Sequence, residues 1–468
     1  MQRRTSTRVN VFTETTLHSS DSARGSHACP GRLQYLVEDV RKMRLVQSWL
    51  GAVLCAALLA APASAQSTPA PAIGAGALDT ATLRAIEAQV VQIRGLQPLV
   101  EPDLKLLDHA SMHTYLADSF QRDYLPSERE SDQKQLAALG LIKPTDDLVQ
   151  IQLDLLSDQV VGVYDPDAKS LFVLADQGAL GPAERMTYAH ELNHALQDQH
   201  FDLNKVAPKH PVSNDQSLAV HAVVEGDAIM LQTLWATANL SPDQLIQLAR
   251  SAGGSGDSLA RVPLIVRTEL LFPYVEGSAF VRQIYHQAGN SYAAVDNLLR
   301  NPPESTAQLL HPQKYVDRVH PVTVELPALA AQLGSDWQAV GSGVLGELDT
   351  RVLLEEWGTS HGDAARVAAG WSGDQWQLVE KDGRSAIVLK STWDSPAAAS
   401  DFFSAYASGL RNRFDSATPE ESSSTRQALT TPVAATDLRL AGNDVLTVIA
   451  FDRDTASAIV AAVTSQTP

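Results

Sequence analysis

The chain has 468 residues, enough for two or three domains, and its 44% apolar and 19% charged content is that of a globular protein. Net charge is −18, and residues 1–65 hold eight of the 36 Lys/Arg but four of the 54 Asp/Glu, which leaves the rest at −22. A surface this acidic, with no basic stripe, excludes nucleic acid and anionic lipid as partners.

Lys42 and Arg44 precede an apolar run from Leu45 to Ala60, followed by Pro62-Ala63-Ser64-Ala65. That order predicts a secretory signal over 43–65, cleaved after Ala65, in a protein sent to the periplasm or secreted. The run is short for a bilayer, so no stable membrane insertion is expected. Met43 follows a polar, aperiodic stretch, and residues 1–42 read as a non-native extension. Leu54 stands where lipidation at Cys55 would need a small residue. Cys29 and Cys55 both fall in the portion removed, so neither disulfides nor cysteine-ligated metal is expected. Residues 66–78 form a Pro/Ala/Gly linker.

From Asp79 to about Gln150 the apolar spacing predicts helices. The period then shortens, and two runs around Asp165-Pro166-Asp167 predict a strand hairpin over 159–174. Gly181-Pro182 opens a helix, and further helices are expected at about 217–238, 242–251, 259–288 and 291–300. Asn301 starts a Pro-rich loop, and the remainder reads β-β-α-β-α. The expected fold class is α+β, with a mainly helical domain over 79–360, a hairpin beside its key helix, and a small α+β domain over 361–468.

That key helix carries His190-Glu191-Leu192-Asn193-His194, an H-E-x-x-H motif. At roughly 100° per residue the two histidines lie about 40° apart, one turn above the other. Two imidazoles so placed can ligate one Zn2+, and Glu191, about 100° round from His190, is set to act as general base on a zinc-bound water. Zinc then needs a third protein ligand, for which three residues compete. Glu225 lies on the next helix, where Gly226 permits close approach to another helix, and it is favoured. His200 would require the chain to bend after His194, but Gln197 stands where glycine would allow it. Glu276, on an apolar helix, is the third. Asp198 and His221 are candidates for contacts behind the ligands, and His311 or Tyr315 for stabilising an oxyanion.

HELNHALQDQHFDL with the downstream VVEGDA resembles the zincin metalloproteases, and among them a group of bacterial exported metallopeptidases. The resemblance extends through YDPDAKSLFVL, LFPYVEG, LLHPQKY and GWSGDQW, most of the mature chain. It implies a zincin-like catalytic domain with His190, His194 and Glu225 as gluzincin-type ligands, Glu191 as base, and a peptide or protein as substrate. One departure stands out: Ile229 replaces the Asp found four residues after the third ligand in the better-known gluzincins, and the nearest acid is Asp227. In such folds an edge strand beside the motif helix binds peptide by strand addition, a role open to residues 160–164 or 171–174. The competing expectation is a non-catalytic cell-envelope binding protein with a structural zinc, its binding surface supplied by Trp371, Trp376 and Trp393.

Overall fold

The computed structural model describes residues 80–159, 162–174, 180–209, 213–251, 259–414 and 417–465. The expected extension, leader and linker lie outside them. Among the described residues no helix is long and apolar enough to cross a membrane.

Helix α1 (Thr80–Arg94) buries Leu83, Ile86, Val90 and Arg94 along one side, the stripe its spacing predicts. The helical stretch expected up to Gln150 is then interrupted. Gly95 takes φ +79°, Pro98 and Pro102 cannot continue a helix, and Asp103–Leu107 forms strand β1. Helices α2 (His109–Asp123), α3 (Pro126–Leu139) and α4 (Leu148–Gln159) follow. The hairpin is where it was expected, as β2 (Gly162–Asp165) antiparallel to β3 (Ser170–Leu174). Its environment was not foreseen: β1 pairs in parallel with β3, giving the order β1-β3-β2. Residues 171–173 are therefore paired on both sides and cannot accept a further strand. Only β2 of the hairpin lies at an edge.

Helix α5 (Pro182–Phe201) starts after Gly181 with Pro182 in its first turn, where a missing N–H costs nothing. It is buried continuously over residues 186–198 because it packs on the hairpin, on α1 and on α7 (Asn214–Asn239). A short helix α6 (Leu203–Val206) joins them, and Ser213 caps α7 by accepting from the Gln216 N–H. After α8 (Pro242–Ser251), the apolar stretch expected as one helix is split. Leu264–Phe272 and Ser278–Gln287 flank a π-helical turn, Pro273–Gly277, which packs along α7.

The second sheet is antiparallel, in the order β4-β5-β6-β10-β9-β8-β7. Its strands are β4 (Gln338–Gly343), β5 (Trp371–Lys381), β6 (Arg384–Trp393), β7 (Thr418–Ser422), β8 (Arg426–Thr430), β9 (Ala435–Ala441) and β10 (Asp444–Ala450). The fold is α+β, as expected, but β4 and β7–β9 extend the predicted β-β-α-β-α pattern. Strand alternation divides the sheet between two cores. Trp376, Leu378, Ile387 and Leu389 join the large core that runs through the helices, whereas Val379, Ala386, Val388 and Val448 meet the last helix, Arg453–Thr464. The three tryptophans expected on a binding surface are buried, at 2%, 0% and 1% exposure for Trp371, Trp376 and Trp393. They are core residues, since a large indole on the inward face of a strand is worth most away from water.

Candidate metal centre

The H-E-x-x-H spacing on α5 brings the Nε2 atoms of His190 and His194 to 3.0 Å of each other, their rings edge to face. From α7, Glu225 sets Oε2 at 3.2 Å from the first and 3.5 Å from the second. All three residues are buried, and among the described residues they form one group with metal-ligand geometry. Glu225 reaches them because α7 crosses α5, and α7 is in turn held against the π-turn by two glycines. A Cβ on Gly226 would lie 2.4 Å from the Gly277 carbonyl oxygen, and one on Gly277 would lie 2.2 Å from that of Ala222.

The donor set fits a metal ion by its own hydrogen-bond chemistry. His194 Nδ1 lies 2.8 Å from Gln197 Oε1, and His190 Nδ1 lies 2.8 Å from Gln232 Oε1. The Gln197 amide is oriented independently, because its NH2 donates to Val224 O at 3.0 Å and to Asp227 Oδ2 at 2.8 Å. Its oxygen must then face His194. An amide oxygen only accepts, so each histidine carries its proton on Nδ1 and turns the Nε2 lone pair inward. Two lone pairs and a carboxylate oxygen thus converge with no proton among them, an arrangement a cation resolves. The anionic carboxylate attracts positive charge to this point, whether an ion or a proton on the imidazoles. Burial would raise the Glu225 carboxyl, but the neighbouring imidazoles hold it far below the usual carboxylate range. Burial would lower His194, and Glu225 reverses this and raises it.

Glu191 stands beside this group. Burial raises its pKa, although both imidazoles act against that. Its Oε2 accepts from the Tyr164 N–H at 2.8 Å, and its Oε1 is buried without a hydrogen-bond partner. The contact with β2 depends on Gly162, where a Cβ would stand 2.8 Å from Thr187 Cγ2 and 3.4 Å from Glu191 Cγ.

The remaining candidates are placed elsewhere or used differently. His200 stays on the helix and meets Gln97 O at 2.7 Å, off the cluster. Glu276 lies half-buried on the π-turn and does not join the group. Asp198 orients no imidazole: it accepts from Tyr164 Oη at 2.7 Å, Lys169 Nζ at 2.7 Å and Leu203 N at 3.0 Å, which pins the hairpin to the end of α5. His221 donates through Nδ1 to Ser217 O at 2.7 Å, and its buried Nε2 has no partner. In that tautomer Nε2 is an acceptor, so neutral His221 has no N–H left to offer the Glu225 carboxylate. His311 bonds Glu347 at 2.7 Å, where the helices meet the second sheet, and Tyr315 spends its hydroxyl on Asn301 O at 2.8 Å. Sequence reasoning missed Gln197 and Gln232 as imidazole partners. Gln197 lies three residues after His194, a helical neighbour spacing that offered a signal, whereas Gln232 offered none.

A domain of unknown function (DUF8575) matches residues 333–460, the second sheet and its helices, and leaves the cluster outside. No curated protein matches the chain. Among solved structures it is similar to a provisionally assigned hydrolase with a novel fold from Chloroflexus aurantiacus, with 17% identity and a TM-score of 0.33 over 51% of this chain and 88% of that one. A TM-score of that size establishes no shared fold.

Proposed function

We propose that the chain is an exported zinc peptidase of zincin type, with His190, His194 and Glu225 holding the ion and Glu191 as general base. One observation carries this reading: a buried carboxylate oxygen, Glu191 Oε1, stands unpartnered beside a three-residue ligand set. A structural zinc site calls for four protein ligands and no base, whereas the group among the described residues has three, and the reading takes Glu191 beside it as the base. Two imidazoles and one carboxylate are a donor set suited to zinc. When bound, zinc polarises a substrate carbonyl and makes water a stronger acid.

Glu191 takes one proton from the attacking water and passes it to the leaving amine, so hydroxyl ends on the acyl carbon and the proton on nitrogen. Its other oxygen is fixed by the Tyr164 N–H, which keeps the carboxylate from rotating away. Because β2 is an edge strand and its Tyr164 N–H meets the base, a peptide lying along β2 would run past Glu191 and pair through backbone groups other than that N–H. The acidic surface favours peptide over nucleic acid as substrate.

Glu191→Gln tests the reading. The variant is expected to retain about one zinc per chain by metal analysis and to lose at least about 100-fold in cleavage of a peptide library. Wild-type cleavage by the variant, or no zinc in the wild type, would overturn it.

A further inference from the structure

Behind His194 the polar contacts do not stop at Gln197. The Asp227 oxygen that receives the Gln197 amide also receives Arg94 Nε at 3.1 Å, with a second guanidinium nitrogen at 3.1 Å. The third guanidinium nitrogen lies 2.8 Å from Asp296, and the Tyr292 ring stacks 4.6 Å from the guanidinium carbon. Arg94, Gln197 and Asp227 are buried, at 1%, 0% and 0% exposure. Arg94 belongs to α1, more than a hundred positions before Asp227.

We propose that Arg94, Asp227 and Gln197 form a positioning relay that starts in α1 and fixes the proton of His194 on Nδ1, with Gln232 fixing that of His190. The proposal rests on reading the cluster as a metal centre. A neutral imidazole has two tautomers, and one of them would point an N–H at the metal. The partner on the far ring nitrogen decides between them.

Glutamine is the suitable partner here for an electrostatic reason. The pocket already buries the Glu191 and Glu225 carboxylates, and another carboxylate touching the imidazoles would add like charge where water is excluded. A side-chain amide orients the ring without charge. It can also reverse end for end, and Asp227 prevents that by accepting from its NH2. The Asp227 charge is in turn matched by Arg94, one contact further out. The relay thus makes α1 part of the metal site, although α1 supplies no ligand.

Zinc affinity measured by chelator competition, together with histidine-selective 15N NMR of the zinc-loaded full chain, tests the relay. Gln197→Met keeps the volume and removes the acceptor. It should weaken zinc binding by about 10–100-fold and shift the His194 Nδ1–H signal while leaving that of His190 unchanged. Gln232→Met should show the converse pattern. Arg94→Lys, which keeps the charge but not the two-way grip, should move His194 in the same direction as Gln197→Met; if that variant fails to fold, the two glutamine variants decide. Wild-type zinc affinity in Gln197→Met, or both histidine signals moving together in either glutamine variant, overturns the relay and leaves the metal site standing. A wild-type chain that takes up no zinc overturns both.

Discussion

At the scale of single residues, the third ligand separates the zinc readings most sharply. Glu225→Ala is expected to purify largely without zinc, because loss of a ligand costs more than the roughly 10–100-fold that follows loss of a contact behind one. His200→Ala and Glu276→Ala should retain wild-type zinc by metal analysis, since His200 is engaged with Gln97 O and Glu276 sits on the π-turn. Zinc lost from His200→Ala and kept in Glu225→Ala would make this a three-histidine site. The motif histidines and Glu191 were legible in the sequence because helix geometry relates neighbours four apart without help from the rest of the fold. Asp198 was misread for a related reason. Its position one turn beyond His194 was correctly placed on the helix, but Tyr164 and Lys169 arrive from the hairpin and claim its carboxylate.

Between elements, the deciding contact is backbone against backbone. Gly226 of α7 meets Gly277 of the π-turn so closely that an added Cβ would lie 2.4 Å from a carbonyl oxygen, and a carbonyl cannot swing aside as a side chain can. Gly226→Ala should therefore destabilise the fold by at least about 1–3 kcal/mol. It should also weaken zinc binding, since α7 must shift with Glu225 on it. Thermal unfolding with zinc titration checks this, with Gly362→Ala as the control: that position has open space around it and should show no loss. Equal midpoints for the two variants would refute the argument. The sequence placed a tolerant glycine next to Glu225 but gave no sign of what approaches it, because the π-turn lies about fifty residues away in the chain.

Across the whole molecule, the helical part and the second sheet meet at buried carboxylates. Asp215, in the first turn of α7, accepts from the Thr306 N–H at 3.0 Å and from its hydroxyl, and Gly346 packs directly on it. Asp374 of β5 accepts from Leu345 N, Gly346 N and Trp371 Nε1 at 2.8, 2.9 and 2.7 Å. Burial lifts Asp215 to about 7, and the nearby Asp374 and Glu347 charges add to it against the Thr306 hydrogen bonds. Burial likewise lifts Asp374 to about 6. Both folded values lie above the unfolded carboxyl at about 3.9, so between those limits the folded state binds more protons. These groups thus contribute stability that is complete in acid and is lost as pH rises towards 7. Asp215→Asn keeps an acceptor for Thr306 and removes the charge. Its unfolding midpoint should fall less than that of the wild type between pH 5 and pH 8, and should exceed it at pH 8. Parallel pH curves for the two proteins would show that Asp215 does not carry the effect.

The sequence by itself determined what depends on local period: α1, the hairpin, the motif helix with His190, Glu191 and His194 on it, and the α+β class. Tertiary structure decided what depends on which segments meet. It turned 103–107 into a strand by giving it β3 as a partner, made residues 171–173 central rather than peripheral, and buried the three tryptophans. It also brought Glu225 to the histidines and set Gln197, Gln232 and Arg94 behind them. Backbone hydrogen bonds and side-chain spacing within a helix are fixed over a few residues, so the amino-acid order specifies them directly. Contacts between distant segments arise only when the chain packs its core, and one sequence read alone contains no distance between them.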